Sequence, residues 1–299
     1  MNHDSPKEIR QTLEALGVSL KKRWGQNFLI NRGARERIVG LLDPHPYESA
    51  WEIGPGLGSM TDLIHEAVWR LTLFEIDWKL IRYLRERYPQ AGIVPGDVLK
   101  RWPEQARKTG CPDKVLGNLP YNTASALLAD FAERGFRPAR MVVTVQRELA
   151  RRMNAQAGSV DYSAFTVVCR YRYRVVLHGD LQPGSFYPRP GVVSTVVELT
   201  PWASGTDSAR PAGVERPESE RLFFALVRRA FRSRRKTLKN NLVSKGEGGT
   251  PEEAFDLTIR RSGIDPSRRG ETLGIDEFIR LSNALLRALQ DLGLAEDLL

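Results

Sequence analysis

The sequence predicts an α/β fold built on a parallel sheet, followed by a small all-α domain. Three observations carry this expectation. Short apolar runs alternate with helical patterns over the first part of the chain, the signature of βα units. Four of the strand-like runs end in a glycine or polar residue at even spacing: Glu75 lies 21 residues after Gly54, Asp97 a further 22 and Asn118 a further 21. Beyond Ala203 to Glu220, a stretch rich in Gly, Pro and Ser, the pattern turns helical, as after a linker.

Strands are expected at 50–54, 72–76, 92–96, 114–118 and 140–146, with helices at 60–68 and 79–88. The runs at 165–177 and 192–200, joined by a short Pro-rich loop, read as antiparallel strands at a sheet edge. Helices are expected over 220–242 and 275–289. The organisation that follows is one α/β domain over 1–202 and a linker with a helical domain over 203–299.

The chain has 299 residues, 41% of them hydrophobic, enough for a full core. Its formal net charge of +9 points to an anionic partner, nucleic acid first. No run approaches the roughly 18 continuous apolar residues of a membrane span, and the N-terminus lacks the apolar run of a signal peptide. The two cysteines, Cys111 and Cys169, lie far apart, and the four histidines are scattered. No disulfide framework or metal site is expected, and the expected location is the cytoplasm.

The first strand runs into "EIGPGLGS". Gly54, Gly56 and Gly58 let the backbone approach a ligand and aim N–H groups at it. A dinucleotide fingerprint would need glycine at 59, where Ser59 stands. Glu75 after the second strand suits a ribose diol, and Asp97 after the third can accept from an adenine amine. An acid at either place also caps helices routinely. In register at the carboxyl edge of one sheet, these residues describe a nucleoside site without a phosphate site, which fits S-adenosylmethionine.

"GNLPYN", residues 117–122, ends the fourth strand beside that site. The Asn118 side-chain oxygen and the Leu119 carbonyl, held extended by Pro120, can accept the two hydrogens of an adenine N6 amine. That arrangement turns the nitrogen lone pair toward a methyl donor. Tyr121 can stack on the base. The bland alternative is an Asn-Pro turn capped by a core tyrosine.

Together these residues resemble the small-subunit ribosomal RNA adenine-N6 dimethyltransferases, the kasugamycin-sensitivity family. The resemblance rests on "GQNFL" (25–29), "EIGPGLGSMT" (52–61), "EID" (75–77), "GDVL" (96–99) and "GNLPYN". It continues through "QRELARRM" (146–153), "SFYPRPGVVST" (185–195), "AFRSRRKTLKNNL" (230–242) and "RGETLGIDEF" (269–278). It implies a Rossmann-like class I methyltransferase sheet with a small C-terminal all-α domain that binds RNA or the ribosome. It implies donor contacts at Asn27, Leu29, Gly54, Glu75, Asp97 and Asn118. The implied target is two adjacent adenosines in the 3′-terminal hairpin of 16S RNA, each dimethylated during assembly of the pre-30S particle by a monomeric enzyme. Departures occur at Ser163, Gly191, "NTAS" (122–125) and Gly270, all outside the donor residues and the tetrad 118–121.

Residues 227–240 carry seven basic residues and no acid: Arg228, Arg229, Arg232, Arg234, Arg235, Lys236 and Lys239. Pure positive charge suggests phosphate contacts. "KKRWGQ" (21–26) and "RELARR" (147–152) add to it. In "CRYRYR" (169–174), period-two alternation would put Arg170, Arg172 and Arg174 on one face of a strand. Two other functions share parts of the pattern. One is a large-subunit RNA methyltransferase of the macrolide-resistance type. The other is a non-catalytic assembly or transcription factor of the same fold.

Overall fold

The computed structural model describes residues 1–19, 26–202, 216–243 and 250–295. The chain forms two compact units, Met1–Ala150 with Tyr173–Pro201, and Arg151–Arg172 with Trp202–Leu299. The division differs from a single boundary near residue 202, because 151–172 packs with the second unit.

In the first unit the chain runs α1 (Pro6–Ala15), β1 (Phe28–Leu29), α2 (Arg32–Leu42), β2 (Ser49–Ile53), α3 (Thr61–Ile64) and β3 (Arg70–Glu75). It continues α4 (Trp78–Arg87), β4 (Gly92–Pro95), α5 (Val98–Thr109), β5 (Lys114–Asn118), α6 (Ala124–Glu133) and β6 (Arg140–Gln146). α7 (Arg147–Met153) and α8 (Ala164–Arg172) then lead out of and back toward the sheet, which β7 (Tyr173–Leu181) and β9 (Ser194–Pro201) complete. A short β8 (Phe186–Tyr187) pairs antiparallel with β1.

The seven-stranded sheet has the order β4-β3-β2-β5-β6-β9-β7. β2 lies parallel between β3 and β5, so the chain leaves it in opposite directions and a switch point opens at its carboxyl end. Both faces are covered, as a parallel sheet requires. On one face Ala50, Leu73, Leu116 and Val142, all inaccessible, pack with Ile38 and Leu42 of α2. On the other, Trp51 stacks on Phe136 and meets Phe74 at a tilt, while Phe136 also stacks on Phe131 and meets Trp102 edge-on. α1, capped by Ser5, buries Ile9 and Leu13 against Phe28 and Leu57.

In the second unit, α8 packs against α9 (Glu220–Ala230), α10 (Leu238–Leu242), α11 (Glu252–Ser262) and α12 (Ile275–Asp291) complete it, and Tyr171 meets Phe223 and Phe224. Two expectations fail here. Residues 164–172 form a helix, and the strand begins only at Tyr173. Phe165 through Cys169 are all buried, and a helix apolar all round has no periodicity to separate it from a buried strand. The expected arginine face therefore does not exist: Arg170 donates to the Ala155 carbonyl at 2.8 Å, and buried Arg172 pairs with Glu220 at 2.7 Å. Residues 220–242 are not one helix either. The Asn241 amide donates to the carbonyls of Ala230 (2.9 Å), Ser233 (3.0 Å) and Lys236 (3.4 Å), holding 231–236 as a turn. Most of the expected linker (203–215) and Lys21, Lys22 and Arg23 fall outside the described residues.

Candidate active site

The carboxyl ends of β2, β3 and β5 and the N-terminus of α5 open on one cavity of about 1030 Å³, counting its mouth. Its wall holds Asn27, Leu29, Gly54, Gly56, Glu75, Asp97, Asn118 and Pro120 of the expected residues. Gly58 is not among them. It faces Tyr88, whose hydroxyl donates to its carbonyl at 3.0 Å, and a Cβ there would stand 2.2 Å from that hydroxyl. Gly58 thus shapes the turn without touching the cavity. Gly56 has φ of 60° and a Cβ would meet the Phe28 ring at 2.9 Å, so only glycine fits.

Glu75 is a buried acid of the site, held by backbone donors. Its Oε1 accepts from the Ile76 and Asp77 N–H groups at 2.8 and 2.9 Å, and its Oε2 from Gly56 at 3.2 Å. Burial pushes its carboxyl up to about 7, against these three donors, which pull it down. The bond to Gly56 joins the acid directly to the glycine turn. Asp97 does two jobs: its Oδ1 caps α5 by accepting from Leu99 N–H at 3.0 Å, and the residue also lines the cavity. The helix-cap and ligand readings are compatible here.

Asn118 Nδ2 donates to the Asn27 carbonyl at 2.7 Å. The bond fixes the amide and leaves Oδ1, an acceptor, as its other polar atom. The Pro120 carbonyl is taken by Thr123 and Ala124 N–H at the start of α6, at 3.1 and 3.0 Å. Leu119 donates its N–H to Thr144 and buries its side chain. Tyr121 is half-buried beside the cavity rather than in its wall, and its hydroxyl lies 2.7 Å from Ser194 Oγ.

Sequence reasoning missed Gln26 and Ile76. Gln26 lines the cavity with its Oε1 buried and lacking a hydrogen-bond partner, and Ile76 lines it beside Glu75. Each sits inside a motif already singled out, "GQNFL" and "EID", which was the available signal. No Lys or Arg lines the cavity among the described residues. A wall with Glu75, Asp97, an orphan acceptor and no cation suits a cationic, adenosine-like ligand and repels phosphates. The residues therefore fit S-adenosylmethionine.

In the second unit, Arg234 bonds Glu271 at 3.0 Å and the Val160 carbonyl at 2.8 Å, and Lys239 pairs with Glu252 at 3.0 Å. Arg229 is half-buried and reaches the Leu242 carbonyl at 3.3 Å. Arg228 is exposed at the end of α9. The side chains of Arg232, Arg235 and Lys236 are exposed on the turn and form no ion pair among the described residues.

Comparison with known proteins agrees with this geometry. The family model "Ribosomal RNA adenine dimethylase" matches residues 17–286. The ribosomal RNA small subunit methyltransferase A of Treponema denticola is 36% identical over 95% of this chain and 96% of its own. That of Treponema pallidum is 38% identical over 96% and 98%. Among solved structures, a dimethyladenosine transferase from Plasmodium falciparum superposes with a TM-score of 0.66 at 22% identity, covering 88% of this chain and 98% of its own. The 23S rRNA methyltransferase ErmE gives 0.57 at 21%, covering 87% and 99%. Both share the fold. With the family model spanning nearly all of the described chain, the protein belongs to the ribosomal RNA adenine dimethylase family.

Proposed function

We propose that the protein dimethylates N6 of two adjacent adenosines in the 3′-terminal hairpin of small-subunit ribosomal RNA, using S-adenosylmethionine and acting as a monomer on the pre-30S particle. The observation that carries this is one cavity wall holding Glu75, Asp97 and Asn118 and, among the described residues, no Lys or Arg, with Asn118 and Pro120 of the tetrad in the same wall. The small-subunit name of relatives matched over almost the whole chain favours the small over the large subunit. The exposed basic turn of the second unit supports an RNA partner.

Glu75 holds the ribose hydroxyls, Asp97 the adenine amine, and Gln26 and Asn27 the amino-acid end of the donor. Bound S-adenosylmethionine supplies a methyl group activated by its sulfonium. Asn118 Oδ1 and the Leu119 carbonyl accept the two hydrogens of the target N6 and so localise its lone pair. Tyr121 stacks on the target base. No strong general base is needed, because the nitrogen becomes acidic once methylated. Catalysis then rests on positioning.

Asn118→Ala tests the assignment. Transfer should fall more than about a hundredfold, as for loss of a preorganised hydrogen-bonding group, while binding to small particles stays within about twofold. A variant methylating at the wild-type rate would remove Asn118 from this role.

A further inference from the structure

The Pro-rich segment ending at Ser194 touches both halves of the site. At its start, the Ser185 carbonyl accepts from Ile30 and Asn31 N–H at 2.8 and 3.3 Å, and Phe186 and Tyr187 pair with Leu29 and Phe28 of the donor-side wall. At its end, Ser194 opens β9, opposite Gln146 of β6 on one side and Leu181 of β7 on the other. Its side chain is fully buried, and its Oγ lies 2.7 Å from the Tyr121 hydroxyl. A central strand held by two neighbours is a rigid mount. Tyr121 belongs instead to the loop between β5 and α6, where only short turns fix the backbone.

We propose that Ser194 is a positioning residue for methyl transfer: its hydroxyl tethers the Tyr121 phenol and sets the plane of the ring against which the target adenine stacks. This rests on the stacking role proposed for Tyr121. The tether assigns a purpose to Ser194, the next-to-last residue of the "SFYPRPGVVST" motif, which is absent from the cavity wall and buried from solvent. It also makes the tyrosine hydroxyl useful, since stacking alone needs only a ring. A bond that merely satisfied a half-buried phenol would affect stability but leave the chemical step alone.

The test is a cycle of Ser194→Ala, Tyr121→Phe and the double variant, with Tyr121→Ala alongside. Each is the full chain, assayed on small-subunit particles lacking the modification. Loss of one hydrogen bond corresponds to about a three- to tenfold change. Each single variant should lower kcat by about that factor, with donor Kd and particle KM within about twofold, and the double variant should match either single one. Wild-type kcat in Tyr121→Phe or Ser194→Ala, or a double variant equal to the product of the singles, would overturn the inference. Should Ser194→Ala fail to fold, Tyr121→Phe alone reads the bond. Tyr121→Ala separates the two ideas. A wild-type rate there sinks the stacking role itself, whereas a crippled Tyr121→Ala beside a normal Ser194→Ala sinks only the tether.

Discussion

Glu75 is held by the fold at the place proposed for the donor ribose. Three backbone N–H groups hold the carboxylate, yet burial wins and raises it to about 7. In the role proposed for Glu75, ribose hydroxyls donate to the ionised form, so the competent state fills as pH rises above 7 and is lost as pH falls through it. Donor affinity measured by calorimetry should therefore drop about tenfold per pH unit below 7. Glu75→Gln should weaken binding at pH 8 and flatten that slope. Affinity unchanged between pH 6 and 8 would contradict the assignment. At this scale the sequence was informative, because spacing alone put Gly54, Glu75, Asp97 and Asn118 at one sheet edge. It could not separate Gly56 from Gly58. Both have positive φ, but one backs onto Phe28 in the cavity wall and the other onto Tyr88 away from it.

Among the elements, the basic turn between α9 and α10 divides a uniform run of charge into two kinds of residue. Arg234 and Lys239 are held by acids, and Arg229 by a helix-end carbonyl. Arg232, Arg235 and Lys236 point outward from a loop braced by buried Asn241. Replacing Arg235 or Lys236 by Ala should reduce the slope of log K for RNA against log salt by about 0.7–0.9 each. Arg234→Ala should instead lower unfolding stability by up to about 1 kcal/mol. Equal salt effects at all three positions would show that the pairing does not matter. The turn was not legible beforehand: apolar residues keep helical spacing on either side of the polar run 232–237, and the break depends on Asn241 meeting carbonyls up to 11 positions away. α8 failed for a related reason. Its Phe, Val and Tyr content favours a strand, and the burial of Phe165 through Cys169 leaves no periodicity to mark it as a helix.

For the whole molecule, the order of strands puts the switch point of the sheet at β2 and β5, so Gly54, Glu75 and Asp97 share one opening with Asn118 and Pro120 of the tetrad. The formal charge of +9 suits long-range attraction of an anionic partner, while the described cavity wall holds Glu75 and Asp97 and no Lys or Arg. The activity proposed for this cavity and its tetrad is dimethylation of small-subunit RNA. It is tested most directly by mass mapping of nucleotides in small particles lacking the modification, after incubation with the protein and S-adenosylmethionine. The expected product is N6,N6-dimethyladenosine at two adjacent positions of the 3′-terminal hairpin and nowhere else. Methylation only in large-subunit RNA, or at another atom or site of the small-subunit RNA, would contradict it.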